Sequence, residues 1–219
     1  ISRVILSSWQ KGCIHVTYED RKFWVDLCPV DMNMEPDEEQ ELELDESQEK
    51  MVAVYLFDET RMLQYEQEIN DQKMVSGLIY LDNYDEALES VEEVRRSLLT
   101  ALIDRKISKY ITSLYGVVKK IEKDKYFFAI KQKYVETLRE NRFSILEEVK
   151  TVNIGNEMAV TLSIGLGMNG ETYMQNYEFS RTAIDMALGR GGDQAVIKDG
   201  THIQYYGGKS QQTEKATRV

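Results

Sequence analysis

Thr161-Leu162-Ser163-Ile164-Gly165-Leu166-Gly167 ends a run over 158–167 that reads as a strand. A helical run over 173–188 follows. Ala187-Leu188-Gly189-Arg190-Gly191-Gly192-Asp193-Gln194 then turns the chain into a second strand over 194–198. Strand, helix and strand in succession point to an α/β protein. The glycine-rich turn has the look of a phosphate loop, but such loops open helices, where backbone N–H groups and the positive end of the dipole meet the anion. Here the glycines follow a helix. Glycine is the usual cap there and the dipole is negative, so the turn reads as a cap.

The same alternation continues upstream. Residues 75–81 read as a strand, and 85–109 carry helical periodicity through Ala87, Leu88, Val91, Val94, Leu98 and Leu102. Residues 115–121 and 126–131 read as two strands around Glu122-Lys123-Asp124-Lys125, and 135–149 as a helix. The expectation for 75–200 is an α/β (α+β) domain with a mixed sheet flanked by helices. Farther upstream the pattern is all-β: strands over 12–18 and 22–28 form a hairpin around Glu19-Asp20-Arg21, and 51–57 is a third strand. Three strands cannot close a core alone, so residues 1–60 read as the remnant of a larger domain. A polar helix over 63–74, with Leu63, Ile69 and Met74 as its apolar points, reads as a linker at 61–74. Residues 201–219 read as a tail without a core of its own.

The charge is uneven. Twenty-seven Lys and Arg against 38 Asp and Glu give −11, and the window 31–50 holds ten acids and one lysine, or −9 (1 − 10), leaving −2 for the rest. A nucleic-acid partner is excluded on these grounds, and the window itself reads as a self-repelling, solvated loop. Cys13 and Cys28 read as reduced, buried thiols. With two histidines and no CxxC, zinc is not expected. No apolar stretch is long enough to span a membrane. The chain opens mid-pattern at Ile1-Ser2-Arg3 without an initiator Met, which reads as the start of an excised fragment.

The order of elements, with the Thr-x-Ser-Ile-Gly strand, resembles the GGDEF fold of diguanylate cyclases. The chemistry of that family does not carry over. The hairpin tip reads Glu122-Lys123-Asp124-Lys125-Tyr126 in place of Gly-Gly-Asp-Glu-Phe, so side chains stand where a triphosphate would lie and Lys125 replaces a metal-binding carboxylate. The first strand's metal-binding Asp falls at Tyr80, with Asp82 at the motif's second Asp. The base-reading pair falls at Leu88 and Glu89, and the phosphate-binding Lys at Leu188. Two-metal phosphoryl transfer needs clustered carboxylates, so cyclase activity is not expected.

Leu81-Asp82-Asn83-Tyr84-Asp85, Phe143-Ser144-Ile145-Leu146-Glu147-Glu148-Val149, the glycine-rich turn and the tail Tyr206-Gly207-Gly208-Lys209 are together similar to the GdpP-type cyclic-di-AMP phosphodiesterases. That resemblance implies a longer membrane protein with N-terminal transmembrane helices, a PAS domain, a degenerate GGDEF domain and a manganese-dependent DHH/DHHA1 module that hydrolyses c-di-AMP to pApA. It makes 1–60 the C-terminal part of the PAS domain, with Phe57-Asp58-Glu59-Thr60 at its exit, 75–200 the degenerate GGDEF domain and 201–219 the lead-in to the DHH module. This chain would then be a regulatory segment on the cytoplasmic side, forming a homodimer, with no catalytic residue of its own. An alternative is weak ATP binding or hydrolysis, with Lys119, Lys120, Lys123 and Lys125 as phosphate contacts and Asp124 as a ligand for Mg²⁺; another is a ligand-free dimerisation module. The family's PAS domain is associated with haem, for which His15 is the only histidine in that part; it reads as an exposed sheet residue.

Overall fold

The computed structural model describes residues 13–30 and 51–207; the acidic window 31–50 and the tail from 208 onward lie outside the described residues. The chain divides into two compact units, residues 1–68 and 69–219.

The first unit holds three antiparallel strands in the order β1-β2-β3: β1 (Cys13–Tyr18), β2 (Arg21–Val30) and β3 (Met51–Asp58). Helix α1 (Thr60–Gln72) follows and runs past the boundary between the units. The Asp58 carboxylate accepts the Thr60 N–H at 3.0 Å, and the Thr60 hydroxyl accepts the Lys22 N–H at 2.9 Å. Hydrogen bonds from the Thr60 side chain and backbone hold Asp58 below its ordinary pKa, and the contacts of Thr60 fix where the helix starts. The expectation of two buried thiols is corrected: Cys13 is exposed and Cys28 half-buried, and they face Asp26 and Ala53 across the ladders rather than each other. Cys13 lies at the end of an edge strand, which offers little to bury it.

The second unit is built on a six-stranded sheet ordered β5-β6-β4-β7-β8-β9. Its strands are β4 (Met74–Leu81), β5 (Val117–Lys120), β6 (Lys125–Lys131), β7 (Leu162–Met168), β8 (Gln194–Asp199) and β9 (His202–Gly207). Only β7 and β8 run parallel. The crossover between them is α6 (Tyr173–Gly189), which covers one face. The other face carries the main core, under α2 (Tyr84–Glu89), α3 (Glu93–Ser113), α4 (Val135–Glu140) and α5 (Ile145–Lys150).

The alternation in β7 explains this layering. Leu162, Ile164 and Leu166 enter the main core. Gly165 and Gly167 lie under α6, and a Cβ on either would collide with the helix backbone at Asn176, Ser180 or Ile184. The helix therefore rests directly on the strand.

Three readings of the sequence are corrected. The single helix over 85–109 is broken at 90–92, where the Ser90 hydroxyl bonds back to the Ala87 carbonyl at 2.8 Å and Glu92 is extended. The break shifts the buried stripe to Leu99, Ile103, Ile107 and Ile111 and leaves Val94 91% exposed. The helix over 135–149 is likewise split, because Arg142 and Phe143 adopt φ of 50° and 56° so that the Phe143 ring can be buried. Finally, 202–207 is no loose tail. It pairs antiparallel with β8, and Tyr206 packs on Phe143 with ring centroids 5.2 Å apart.

Since backbone, not a flexible side chain, faces Gly167, Gly167→Ala should lower unfolding stability by about 1–3 kcal/mol or more, read from urea midpoints.

Candidate functional site

The β5–β6 hairpin tip lies beside the C-terminal end of β4, where the Leu81 N–H donates to the Asp124 carbonyl at 2.9 Å. The lysines singled out from the sequence do meet on this hairpin, but three of them are engaged. Lys120 pairs with Asp104 of α3 at 3.0 Å and lies over the rings of Tyr84 and Tyr126. Lys123 reaches Asp85 of α2 at 2.6 Å, and Lys125 pairs with Glu122 at 2.7 Å while sitting over the Tyr80 ring. The hydrogen bonds that Lys123 and Lys125 donate to Asp85 and Glu122 hold both above the ordinary lysine pKa. Tyr126, at the Phe position of the family tip, is buried and donates to Asp104; burial and that bond push its hydroxyl far up. Lys119 is exposed on β5. Asp124 is half-buried.

A two-metal nucleotide site does not fit these residues. Tyr80 and Lys125 occupy carboxylate positions, and among the described residues no group of three His, Cys, Asp or Glu is placed to hold a metal ion. Leu88 packs against the core, so it presents no polar edge to a base. Leu188 ends α6 as a partly exposed apolar side chain. His15, in the first unit, is 74% exposed on its side chain and hydrogen-bonded through Nδ1 to Glu59 at 2.7 Å, which does not fit a haem ligand.

Asp82 has a role that the motif comparison missed. One carboxylate oxygen accepts the Ser163 hydroxyl at 2.6 Å and the other the Asp193 N–H at 2.9 Å. Next to it, Asn83 accepts the Thr161 N–H at 2.9 Å and donates to the Ala159 carbonyl at 2.8 Å. Residues 82–83 therefore clamp both the approach to β7 and the glycine-rich turn. In that turn the N–H groups of Arg190 and Gly192 donate to the Ala187 carbonyl and that of Gly191 to Leu188, which is a helix cap. Gly191 and Gly192 have φ of 98° and 73°. A Cβ on Gly192 would lie 2.8 Å from the Asp82 carboxyl carbon. Asp193 reaches on to Lys150 of α5 at 2.7 Å; burial alone would lower the Lys150 pKa, but its bonds to Asp193 and Glu147 raise it. A shared hydrogen-bond acceptor two strands away leaves no periodic signal in sequence, although the Ser163 and Asp82 motifs did mark both partners.

This topology, with a hairpin beside the first strand and a parallel β7–α6–β8 unit, is that of the GGDEF fold. A diguanylate cyclase/phosphodiesterase from Caldicellulosiruptor saccharolyticus superposes with a TM-score of 0.51 at 19% identity, over 66% of this chain and 87% of that one. The GGDEF domain of DgcB from Caulobacter crescentus, solved with c-di-GMP, gives 0.50 at 12% identity, over 62% and 81%. Within that fold the assignment narrows. Residues 79–205 match the GGDEF domain of the cyclic-di-AMP phosphodiesterase GdpP-like proteins, and the chain belongs to that family. It is 33% identical over 168 residues to the cyclic-di-AMP phosphodiesterase GdpP of Bacillus subtilis, 76% of this chain and 25% of that protein. To the cyclic-di-AMP phosphodiesterase PdeA of Listeria monocytogenes it is 32% identical over 167 residues, again 76% of this chain and 25% of the other. The chain thus spans about a quarter of the length of these relatives.

Two glycines of this turn should respond in opposite ways. Gly192→Ala meets Asp82 at positive φ and should destabilise by about 1–3 kcal/mol. Gly189→Ala, at a helix end with open space around it, should be neutral or stabilise by up to about 1 kcal/mol. Paired thermal melts read the contrast.

Proposed function

We propose that this chain is a regulatory, transmitting segment of a membrane-anchored cyclic-di-AMP phosphodiesterase, on the cytoplasmic side, and that hydrolysis of c-di-AMP to pApA belongs to a manganese-dependent module elsewhere in the longer protein. The observation that carries this is the neutralisation of the hairpin: Lys120, Lys123 and Lys125 are held by Asp104, Asp85 and Glu122 of the same unit. A triphosphate entering there would have to displace those acids and bring its own counter-charge. The kinship with two named cyclic-di-AMP phosphodiesterases supplies the substrate class. Incubated with c-di-AMP and Mn²⁺, the chain should form no pApA. Asp124→Ala should change neither ATP turnover nor ATP affinity; a loss of either would establish the hairpin as a nucleotide site instead.

The first unit is proposed as part of a PAS domain whose signal leaves through α1, and the working unit as a homodimer. No residue of α1 is buried, and Met62, Tyr65 and Ile69, spaced three and four apart, are 55%, 63% and 64% exposed. That spacing is the seam of a two-helix coil, and a helix this short needs such packing to persist. Sedimentation over a concentration series should show a dimer whose dissociation constant rises at least tenfold in Ile69→Lys, about the loss of one buried apolar anchor.

A further inference from the structure

Helix α3 carries two acids, Glu93 and Asp104, against five bases, Arg95, Arg96, Arg105, Lys106 and Lys109, a net of +3 (5 − 2) in a chain of −11. Its one acid near the C-terminal half, Asp104, is turned to the hairpin and taken up by Lys120 and Tyr126. Arg105, Lys106 and Lys109 therefore remain without a carboxylate partner among the described residues. Arg105 and Lys109 stand four apart on one face, a like-charge spacing that destabilises a helix. The last turn holds no base, so relief by the helix dipole, which fades beyond that turn, does not account for them.

These three cations line one side of a cleft of about 640 Å³ between α3 and the end of α5, whose far wall is formed by Thr151, Val152 and Asn153. Its size falls within the range of small-molecule sites. Leu102 and Val152 give it apolar surface, and Thr151 and Asn153 give it hydrogen-bonding groups. The acid in the cleft, Glu148, accepts the Ser144 hydroxyl at 2.9 Å. Tyr110 donates to Asn141 at 3.3 Å, and burial pushes its hydroxyl up to about 12, so it stays neutral against the cations.

We propose that the α3–α5 cleft binds a small ligand carrying two or more linked phosphates, with Arg105, Lys106 and Lys109 on the phosphates and the Leu102–Val152 surface under its organic part. This site is separate from the hairpin and independent of the regulatory reading above. Diphosphate fits better than a single carboxylate because the three cations and Glu148 leave the cleft lining at +2 (3 − 1), which asks for more than one negative charge.

The test is titration of the isotope-labelled chain with pyrophosphate, ADP and adenosine at constant ionic strength, followed by amide NMR. Saturable shifts should appear in α3 and in 148–153 with pyrophosphate and ADP but not with adenosine. Tighter binding of ADP would identify a nucleotide as the source, and equal binding the diphosphate alone; either supports the site. Arg105→Glu/Lys109→Glu should weaken binding at least tenfold, the loss of about one charge-assisted hydrogen bond, with an unchanged melting curve, and Asp124→Ala should leave it intact. Should the double variant unfold, Lys106→Gln gives the same reading at smaller amplitude. Shifts confined to the hairpin, equal binding of adenosine, or no saturable shift at millimolar pyrophosphate would overturn the proposal.

Discussion

One carboxylate organises this domain. Asp82 sits at the end of the first strand of the six-stranded sheet and accepts from both the Ser163 hydroxyl and the Asp193 amide. Those donors belong to β7 and to the turn after α6, the two ends of the parallel crossover. A charged acceptor with two short donors is worth more than a neutral pair, and it fixes register where hydrophobic packing cannot. Gly192 has to lack a side chain because the carboxylate occupies that space. Lys150, through Asp193, extends the clamp to α5.

Much of this was legible in sequence. The strand–helix–strand passage through Gly165 and Gly167, the hairpin around 122–125 and the absence of the cyclase carboxylates are each visible in local pattern. The failures have a common cause. Ser90 ends a helix by a side-chain bond to its own backbone, and Phe143 accepts a left-handed φ for the sake of burial; neither residue is a glycine or proline that would announce a break. The same break leaves Val94 and Leu98 of the periodic stripe exposed, since a one-residue phase slip at 90–92 moves the buried stripe to Leu99 and Ile103. β9 was missed because its burial alternates only weakly and its order comes from pairing with β8.

The hairpin lysines show the limit of reading charge from sequence. Four lysines within seven residues look like a phosphate cradle, yet their meaning depends on which acids the fold brings near. Asp85 and Asp104 are 38 and 16 positions away from the lysines that they meet. Lysine clusters of this kind contribute little free field once paired, whereas Arg105, Lys106 and Lys109, unremarkable in the sequence, keep theirs because Asp104 has been drawn to the other side of the helix.

These two arrangements follow from one replacement. In an active GGDEF site the tip must be bare and flanked by carboxylates that hold cations. Here side chains fill the tip, and its lysines pair with Asp85, Asp104 and Glu122 of the same unit. The fold keeps its charge balance without a ligand, so its shape no longer depends on nucleotide at that place. Under the transmitting role proposed above, a hairpin closed by its own ion pairs keeps its shape at any nucleotide concentration, and the cost is that one acid is spent on the hairpin side of α3. Arg105, Lys106 and Lys109 on its opposite side lie away from that acid, so the hairpin pairing and the charge of the cleft both bear on a single residue, Asp104.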